Sequence, residues 1–388
     1  MQEQMPFACD VLIIGGGPSG LSTALHLAKH APALARRTLV LEKAHYPRQK
    51  LCAGGLVTDA EVILRRLGLD VGEVPHVDAS AAHLDFAGKG LTVAWPRGHT
   101  LRIIRRDQFD GWLAQKARAA GIEIREGVTV RQVTSRPDAV VIETDAGEFR
   151  AQVVVGADGS NGVTRRCVLP DIPVHTARVL EIITPQVDEG SEHKPGEAYF
   201  DFFPVPLGIA GYTWDFPTQV HGQACRCWGI YDTNLLAGLP RPPLKEPLAR
   251  EMHRHGYSLH EHEIQGYPIR WFSPFNRFSA PRVILVGDAA GADGIFGEGI
   301  SIALGYGNLA ARAVRQAFRT GDLSFHDYRR QVLLSPLGQA LTFRTAVTNT
   351  LYQMHWAWFQ KLFWRLLKPF IAAGAFLFVL NWAKRMRE

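Results

Sequence analysis

The chain has 388 residues, a length that suits two or three structural lobes rather than one small domain. Hydrophobic residues make up 46% and charged residues 21% of it, which excludes intrinsic disorder, collagen-like repeats and coiled coil as its main class. The formal net charge is +6 and comes largely from residues 351–388, so a diffuse nucleic-acid-binding surface is not expected.

The cysteines do not form the pattern of a secreted, disulfide-stabilised protein. There are five of them, an odd number, scattered at Cys9, Cys52, Cys167, Cys225 and Cys227. The first ten residues also lack the basic stretch and apolar run that mark a signal peptide. A reducing, cytoplasmic environment is therefore expected.

The first predicted element is a buried strand that leads into a glycine-rich turn. Val11–Ile14 is wholly apolar, Gly15–Gly20 reads GGGPSG, and apolar residues then recur at helical spacing. A second apolar strand, Thr38–Leu41, ends at Glu42, where an acid can bind ribose hydroxyls. Strand, G-x-G-x-x-G, helix, strand and acid together predict a dinucleotide site. The alternative is a glycine turn in an unrelated α/β protein.

Four later segments suit a flavin dinucleotide. They are a helix start at Arg106–Asp110, a strand with a D-G turn at Val153–Ser160, a strand with a G-D turn at Arg282–Gly291, and a glycine-rich helix start at Gly297–Ile300. An aspartate at a strand end, followed by such a helix start, can hold a ribityl chain and set a dipole near a flavin ring.

Together these motifs resemble the p-hydroxybenzoate-hydroxylase-like superfamily of FAD enzymes over residues 10–315. The resemblance implies that Glu42 binds the adenosine ribose, that Arg106 lies near the pyrophosphate and that Asp288 binds the ribityl chain. It also implies that the backbone of Val130, in a strand over Gly127–Val130, contacts adenine. A surface charge that caps a helix is the alternative for Arg106. The residues expected to bind FAD are Gly15, Gly17, Pro18, Ser19, Gly20, Glu42, Lys43, Cys52, Ala53, Gly54, Arg106, Val130, Asp158, Gly287, Asp288, Gly297, Gly299 and Ile300.

Two segments narrow the resemblance to the geranylgeranyl reductase family. Lys50–Leu56 (KLCAGGL) is similar to that family's C-G-G-like loop, and Tyr212–Pro217 (YTWDFP) is similar to its Y-x-W-x-F-P motif. The chain departs from the family at Ala53, where glycine is frequent, and at Thr218, where a basic residue is frequent. The resemblance implies a reductase of polyprenyl carbon–carbon double bonds, with reduced FAD as hydride source and NAD(P)H or ferredoxin as electron donor.

Aromatic residues are concentrated between positions 199 and 228. They predict strands of a second sheet whose apolar face forms a dry, elongated cavity over the flavin; an ordinary aromatic core is the alternative. Tyr212, Trp214 and Phe216 are expected to share one face, because side chains alternate along a strand. Cys52, Tyr212 and Trp214 are the candidate catalytic residues, which would align the substrate.

Several cysteines and histidines have more than one interpretation. Cys52 is a packing thiol, a proton donor or substrate contact, as the family resemblance favours, or, least expected, a redox-active thiol. Cys225 and Cys227 are expected to be structural. No H-E-x-x-H pattern is present, so no metal site is predicted, and a solvated face is expected for His253, His255, His260 and His262.

The C-terminal segment is aromatic and basic. A helix is predicted over Met354–Lys368, before Pro369. One face is expected to carry Trp356, Phe359, Phe363 and Leu366 and another Lys361, Arg365 and Lys368. The apolar run Phe370–Ala383 is shorter than the roughly 20 residues of a transmembrane helix. A segment at a membrane surface is predicted; helices that cap the cavity or form a dimer contact are the alternative.

The predicted fold is α/β, with a Rossmann-like FAD-binding domain interleaved with a substrate domain built on a mixed or antiparallel sheet, and with C-terminal helices. The FAD-binding domain is expected over residues 1–75, 100–172 and 275–320, and the substrate domain over 76–99 and 173–274. Residues 321–388 are expected to be helical and membrane-associated.

The predicted function is an FAD-dependent reductase that saturates double bonds of a polyprenyl lipid, at the inner face of the membrane and without a nucleic-acid partner. A flavin monooxygenase or halogenase on the same fold is the first alternative. The W-x-W-x-I-P motif of flavin halogenases is distantly similar to the segment that begins at Tyr212, although tyrosine replaces the first tryptophan. A prenyl-binding carrier, as the GDP-dissociation inhibitors are on a related scaffold, is the second, and the presence of Asp288 argues against it.

Overall fold

The computed structural model describes residues 7–95, 98–170, 176–187, 191–259, 262–368 and 381–387. Its strands, in chain order, are β1 (Phe7–Ile14), β2 (Thr38–Glu42), β3 (Gly55–Leu56), β4 (His76–Ala79), β5 (Ala81–Asp85), β6 (Gly90–Ala94), β7 (Leu101–Ile104), β8 (Glu123–Glu126), β9 (Val130–Ser135), β10 (Val140–Thr144), β11 (Gly147–Gly156), β12 (Thr176–Pro185), β13 (Glu197–Asp201), β14 (Gly211–Val220), β15 (Gln223–Asp232), β16 (Gln265–Arg270), β17 (Ser279–Ala280) and β18 (Val283–Leu285).

The α-helices are α1 (Pro18–His30), α2 (Pro32–Ala35), α3 (Thr58–Arg66), α4 (Arg106–Ala119), α5 (Thr164–Val168), α6 (Lys245–Arg254), α7 (Ile300–Thr320), α8 (Tyr328–Leu334), α9 (Pro336–Gln353), α10 (Ala357–Lys361) and α11 (Trp382–Arg385). A π-helical turn over Leu362–Leu366 continues α10.

The first sheet is built around β1, the strand that precedes the glycine-rich turn. β1 pairs in parallel with β2 and β11, β2 with β8, and β11 with β18. The hydrogen-bonded order is β17-β18-β11-β1-β2-β8, and β9 and β10 extend it from β11 as an antiparallel ribbon. The carboxyl ends of the parallel strands therefore meet at one edge, which is where open α/β sheets bind ligands.

Helices α1 and α7, which start at the two glycine-rich turns, pack directly on each other. The hydroxyl of Ser22 donates a hydrogen bond of 2.8 Å to the carbonyl of Leu304. A Cβ on Gly307 would lie 2.3 Å from the Ser22 oxygen, so glycine at this position allows the close crossing. This packing brings the two helix starts to the same edge of the sheet.

The second sheet is mostly antiparallel and carries the aromatic segment. Its order is β16-β12-β15-β14-β13-β5-β6, and β13 pairs with β5 in parallel. One face packs in a core that includes Tyr212, Trp214 and Phe216, while the other packs in a core with Leu248 and Met252 of α6. The predicted α/β fold with two sheets and C-terminal helices is confirmed.

The predicted domain boundaries correspond only in outline to the sheets. The first sheet draws its strands from residues 7–42, 123–156 and 279–285, and the second from residues 81–94 and 176–270. However, β4, in the segment expected to belong to the substrate domain, pairs with β7 of the expected FAD-binding domain. The division into domains stays a prediction.

The strand expected over Gly127–Val130 is wrong in its position. The strand begins at Val130, because Gly127 adopts a φ of +73°, which is incompatible with extended backbone. The amide of Val128 instead donates to the carbonyl of Glu42. Gly127–Thr129 is therefore a loop between β8 and β9 that lies beside the end of β2.

The C-terminal segment is helical over part of the predicted range, and the predicted apolar face is confirmed for two of its four residues and wrong for the other two. Phe359 and Phe363 pack on the second core, whereas Trp356 and Leu366 are exposed. Trp356 precedes α10, and the π turn changes which side chains face inward, so that Trp364 is buried and Leu366 is not.

The last described segment, residues 381–387, packs against α3, a helix next to the first sheet. The amides of Asn381 and Ala383 donate to the carboxylate of Asp59 at 2.9 and 2.8 Å, which fixes α11 on α3. Most of the predicted membrane-surface run, residues 370–380, lies outside the described residues. None of the described helices is long and apolar enough to cross a membrane.

Candidate active site

A cavity of about 980 Å³ runs from the carboxyl edge of the first sheet to one face of the second sheet. This is the upper end of the range for ligand pockets, roughly 300–1,000 Å³. Its first part is lined by the turn after β1, the end of β2 and the start of α7. Its second part is lined by the apolar side chains of Ala82, Leu84, Val179, Phe200, Tyr212, Trp214, Phe216 and Ile269.

The three glycines of the first turn have different surroundings. At Gly15 and Gly20 there is no room for a side chain, whereas Gly17 faces open space in the cavity. Gly15 has a φ of +106°, and a Cβ there would lie 2.3 Å from the carbonyl oxygen of Ala157. A Cβ on Gly20 would lie 2.0 Å from the carbonyl oxygen of Gly15. Among the described residues, a Cβ on Gly17 would have Arg48 Nη2 as its only neighbour within 4 Å, at 3.4 Å. Gly17 therefore leaves the N–H groups at the start of α1 open to an anion in the cavity.

Two arginines line the cavity near this opening and share one carboxylate. Arg106 donates to both oxygens of Asp110 at 2.8 Å, and Arg48 Nη2 lies 2.9 Å from the same group. Arg106 is thus not the surface capping charge considered as its alternative. Arg48 Nε also lies 3.6 Å from Glu42 Oε2, so Arg48 is shared between two carboxylates. The two guanidinium groups place N–H donors and positive charge beside Gly17, which suits a pyrophosphate. Sequence analysis missed Arg48, which follows β2 in a loop without a recognisable motif.

Glu42 ends β2 with its carboxylate beside the same turn. It accepts hydrogen bonds from the amide of Gly16 at 2.8 Å and from that of Ala44 at 3.0 Å. Each of its oxygens therefore keeps a lone pair for a further donor. Glu42, Lys43 and Val130 all line the cavity, an arrangement that suits the hydroxyl groups and base of an adenosine.

Two aspartates, Asp158 and Asp288, also line this part of the cavity. Asp158 Oδ2 accepts from the amide and the hydroxyl of Thr164, at 2.9 and 2.8 Å. Its Oδ1 is buried and has no partner in the part of the chain that the structure describes. Asp288 lines the cavity between the starts of α1 and α7, and a Cβ on Gly299 would lie 3.7 Å from its Oδ1.

These features fit FAD, with space at Gly17, positive charge at Arg48 and Arg106, and carboxylates without a full set of donors. Of the residues expected to bind FAD, all line the cavity except Gly20 and Gly287. Gly20 is used for helix–strand packing, and a Cβ on Gly287 would lie 2.5 Å from the Ser19 hydroxyl oxygen. Their contact with FAD stays a prediction.

The C-A-G-G loop lies where the two parts of the cavity meet. Gly54 has a φ of +79°, and its amide donates to the sulfur of Cys52 at 3.4 Å. Burial raises the pKa of the Cys52 thiol, against the opposing effect of Arg106, so the thiol keeps its proton at neutral pH. Lys50 lies with Nζ 2.9 Å from the ring centroid of Tyr267, and burial lowers its pKa to about 8.

The aromatic wall of the cavity is formed by one face of β14. Tyr212, Trp214 and Phe216 all line the cavity, which confirms that they share a face. The Tyr212 hydroxyl donates to the carbonyl of Phe296, so this ring is fixed by its polar end. A Cβ on Gly229 would lie 2.0 Å from the Trp214 ring. The glycine therefore makes room for the indole on the neighbouring strand.

The opposite face of this sheet carries a buried polar cluster, which corrects the prediction of a solvated histidine face. His253 is exposed and His260 lies outside the described residues, but His255 is 2% exposed. Its ring stacks on that of His193 with centroids 3.7 Å apart. His255 caps the C-terminus of α6 and lies one helical turn after Glu251, on the buried face of that helix. Together with Glu251, these two histidines are close enough to form a metal-type cluster.

That cluster is anchored by a buried ion pair. Arg226 donates to both oxygens of Asp215 at 2.7 Å, and Asp215 also contacts His193 Nδ1 at 2.8 Å. The two stacked imidazole planes are only 27° apart, so their in-plane lone pairs do not converge on one point. The cluster lies on the sheet face away from the cavity and takes no part in the candidate active site.

The C-terminal helices pack beside the cavity, which Arg344 and Asn381 line. Arg344 of α9 is buried and contacts Glu298 at 2.5 Å and Asp293 at 3.3 Å. Trp364 stacks on Phe202 with centroids 4.0 Å apart. No residue of 354–368 lines the cavity, so a cap formed by the C-terminal helices stays a prediction.

Comparison with known proteins agrees with this geometry. Residues 8–293 match the family model described as FAD binding domain. An uncharacterized protein of Methanosarcina barkeri is 28% identical over 80% of this chain and 76% of its own. Digeranylgeranylglycerophospholipid reductase 3 of Methanosphaera stadtmanae is 25% identical over 88% of this chain and 87% of its own.

A solved structure shares the whole fold. It is a geranylgeranyl bacteriochlorophyll reductase-like protein from Thermoplasma acidophilum, with a TM-score of 0.73 and 21% identity over 90% of this chain and 89% of that one. At this identity the similarity concerns the fold alone.

Proposed function

The chain belongs to the FAD-binding domain family and is an FAD-dependent oxidoreductase with geranylgeranyl-reductase-like relatives. On this basis we propose that it saturates carbon–carbon double bonds of a polyprenyl lipid. The observation that carries the proposal is the continuity of the cavity. The part that suits FAD opens directly into a part walled by apolar and aromatic side chains, where a hydrocarbon chain would be buried.

The residues that would hold FAD are those of the first part of the cavity. The N–H groups beside Gly17, with Arg48 and Arg106, would bind the pyrophosphate, Glu42 the ribose and Asp288 the ribityl chain. When bound and reduced, FAD supplies the hydride that the reaction needs.

The second part of the cavity would align the alkene and exclude water. Tyr212, Trp214 and Phe216 are rigid and buried, so the lipid would meet a preformed apolar wall, which favours a fixed approach to the flavin. Cys52 presents a protonated thiol at the junction of the two parts. We assign to Cys52, Tyr212 and Trp214 the positioning of the double bond.

The electron donor would be NAD(P)H or a ferredoxin. The sequence contains one G-x-G-x-x-G fingerprint in a strand–turn–helix context, at Gly15–Gly20, and FAD would occupy it. Reduction would therefore rely on transient binding of a nicotinamide or on a protein donor.

The protein would work in the cytoplasm, peripheral to the inner face of the membrane, through its C-terminal segment. Trp356 is 53%, Trp358 64% and Leu366 72% exposed, and the basic residue Lys361 lies between them in sequence. Tryptophan with neighbouring basic charge favours the membrane interface. The segment packs on the core that lines the cavity, so a lipid could pass from the bilayer to the site.

Anaerobic single-turnover reduction tests the proposal. FAD on the purified protein is reduced with dithionite, a geranylgeranylated acceptor in detergent micelles is added, and flavin reoxidation is followed by absorbance. Reoxidation that depends on the acceptor, with a product two hydrogens heavier per double bond, is expected. An Asp288→Ala variant should show neither because it loses FAD.

Two results would contradict the proposal. One is a reduced flavin that reacts with none of the prenyl diphosphates, prenylated ether lipids or menaquinones offered. The other is a product that gains oxygen or halogen in the presence of air, which would establish the monooxygenase or halogenase alternative.

A further inference from the structure

A buried carboxyl group lines the cavity beside the Cys52 loop and has no role in the assignments above. Glu181 lies in β12, opposite Gly229 of β15 and Gln265 of β16. It is 4% exposed and lines the cavity. Its Oε2 is buried without a hydrogen-bond partner among the described residues, although buried polar atoms are almost always paired.

The surroundings of Glu181 keep its carboxyl group able to hold a proton near neutral pH. The titratable and charged groups that face it are Arg105 before α4, Cys52 and Lys50 in the loop after β2, and Cys227 of β15. Burial raises its pKa to about 7, in spite of Arg105 and the amide of Cys52, which favour the charged form. A pKa close to the working pH is what proton transfer in a reaction requires.

We infer that Glu181 is the general acid of the reduction and protonates the alkene carbon that does not receive hydride. This inference rests on the proposed function. As the π bond breaks, bound and reduced FAD would supply the hydride for one C–H bond, and the proton of the Glu181 carboxyl would form the other. The carboxylate that remains is stabilised by Arg105 and the Cys52 amide, and it takes a proton from water before the next turnover.

Glu181 suits this role better than Cys52, the residue that sequence analysis put forward. Burial raises the pKa of the Cys52 thiol above its usual value, so the thiol is a weaker acid than the neighbouring carboxyl. Cys52 keeps the positioning role proposed for it above.

The Glu181→Gln variant tests the inference, because the amide keeps the shape of the side chain but has no acidic proton. Single-turnover reduction of a geranylgeranyl acceptor is expected to slow by at least about 100-fold, with FAD affinity unchanged. The wild-type rate should fall about tenfold per pH unit above neutral pH, and the residual rate of the variant should not. Glu197→Gln, on the other face of the same sheet, is the matched control and should retain both rate and profile.

Infrared spectroscopy supplies a readout independent of turnover. The resting wild-type protein should show a carboxylic-acid carbonyl band that disappears with a midpoint near pH 7 and is absent from Glu181→Gln. If that variant does not fold, Glu181→Asp replaces it and should be slower while keeping the fall in rate above neutral pH.

The possible failures are distinguishable. A wild-type protein that reduces the acceptor, with a glutamine variant of equal rate and pH profile, overturns the role of Glu181 alone. A wild-type protein that reduces no polyprenyl acceptor overturns the proposed function. In that case the absence of the titrating carbonyl band would also refute the protonated state of Glu181.

Discussion

Replacing Gly17 with alanine is expected to remove tight FAD binding while leaving the fold intact. The residue has φ −84° and ψ −177°, a conformation open to any amino acid. The added Cβ would have one protein neighbour, Arg48 Nη2 at 3.4 Å, at the flexible end of a side chain. The helix-capping preference for glycine over alanine is about 1 kcal/mol, and the stiffer unfolded chain returns about 0.4–1 kcal/mol. The free energy of unfolding of the FAD-free protein should therefore change little.

The effect on FAD follows from where the methyl group would lie. It would occupy the space through which a phosphate reaches the N–H groups at the start of α1. A hydrogen bond to a charged group contributes about 1.5–3 kcal/mol, and displacement of the phosphate would lose about two of them. The dissociation constant of FAD should rise at least about 100-fold, since 1.4 kcal/mol is a factor of ten.

Gly20→Ala is the matched comparison for this experiment. Its Cβ would lie 2.0 Å from the backbone oxygen of Gly15, which cannot move without disturbing β1 and α1. The FAD-free protein should then be destabilised, as urea titration would show, whereas Gly17→Ala should melt like the wild type and fail in titration calorimetry with FAD. A folded Gly17→Ala protein that binds FAD with wild-type affinity would refute the placement of the pyrophosphate.

Two further predictions concern stability. Trp364→Ala should lower the free energy of unfolding by about 3–5 kcal/mol, because the ring is 1% exposed and stacks on Phe202. Trp358→Ala, at a 64% exposed site, should change it by less than about 0.5 kcal/mol; equal losses in urea titrations would contradict this difference. Burial lowers the pKa of His26 to about 4 from 6.5, so its contribution to stability is complete above pH 6.5. About 3 kcal/mol of it should be lost as the pH falls towards 4, and His26→Asn should flatten that part of the profile in thermal melts; an unchanged slope would contradict it.

The parts of the fold that could be predicted are those that local sequence determines. Val11–Ile14, the part of β1 next to the fingerprint, is apolar at every position because helices cover both faces of a parallel sheet. The G-x-G-x-x-G turn then needs glycine where backbone atoms approach within about 2 Å of a Cβ position, as at Gly15 and Gly20. The alternation in β14 likewise fixed which aromatic side chains share a face. Such patterns carry their own geometric requirement, so one chain was sufficient to find them.

The residues that sequence analysis missed depend on pairing between distant segments. Arg48 is one arginine among many until α4 brings Asp110 beside it. Glu181 is a single acid in an apolar strand, and only the register of β12 against β15 turns it towards the cavity. The signal that could have identified it is an acid within the apolar run Val179–Ile183 of β12, where burial without a function is costly.

The errors in the C-terminal half have a related cause. A 3.6-residue period placed Trp356 and Leu366 on the buried face, but Trp356 precedes the first residue of α10. The π turn over Leu362–Leu366 then shifts the period and buries Trp364 instead of Leu366. Charge density suggested a solvated surface around His255, yet α6 is amphipathic and its buried face continues to that histidine. Tertiary packing overrode the local pattern in both cases.

The most direct test of the proposed activity is mass spectrometry of total prenyl lipids from cells that produce either the wild-type protein or its Asp288→Ala variant. Because Asp288 is assigned to the FAD site and does not lie in the apolar wall, the two proteins differ in cofactor rather than in lipid binding. A polyprenyl lipid that gains pairs of hydrogens only with the wild-type protein is the predicted result. Identical lipid profiles, or a lipid that gains oxygen or halogen, would contradict reduction of a polyprenyl chain as the function of this cavity.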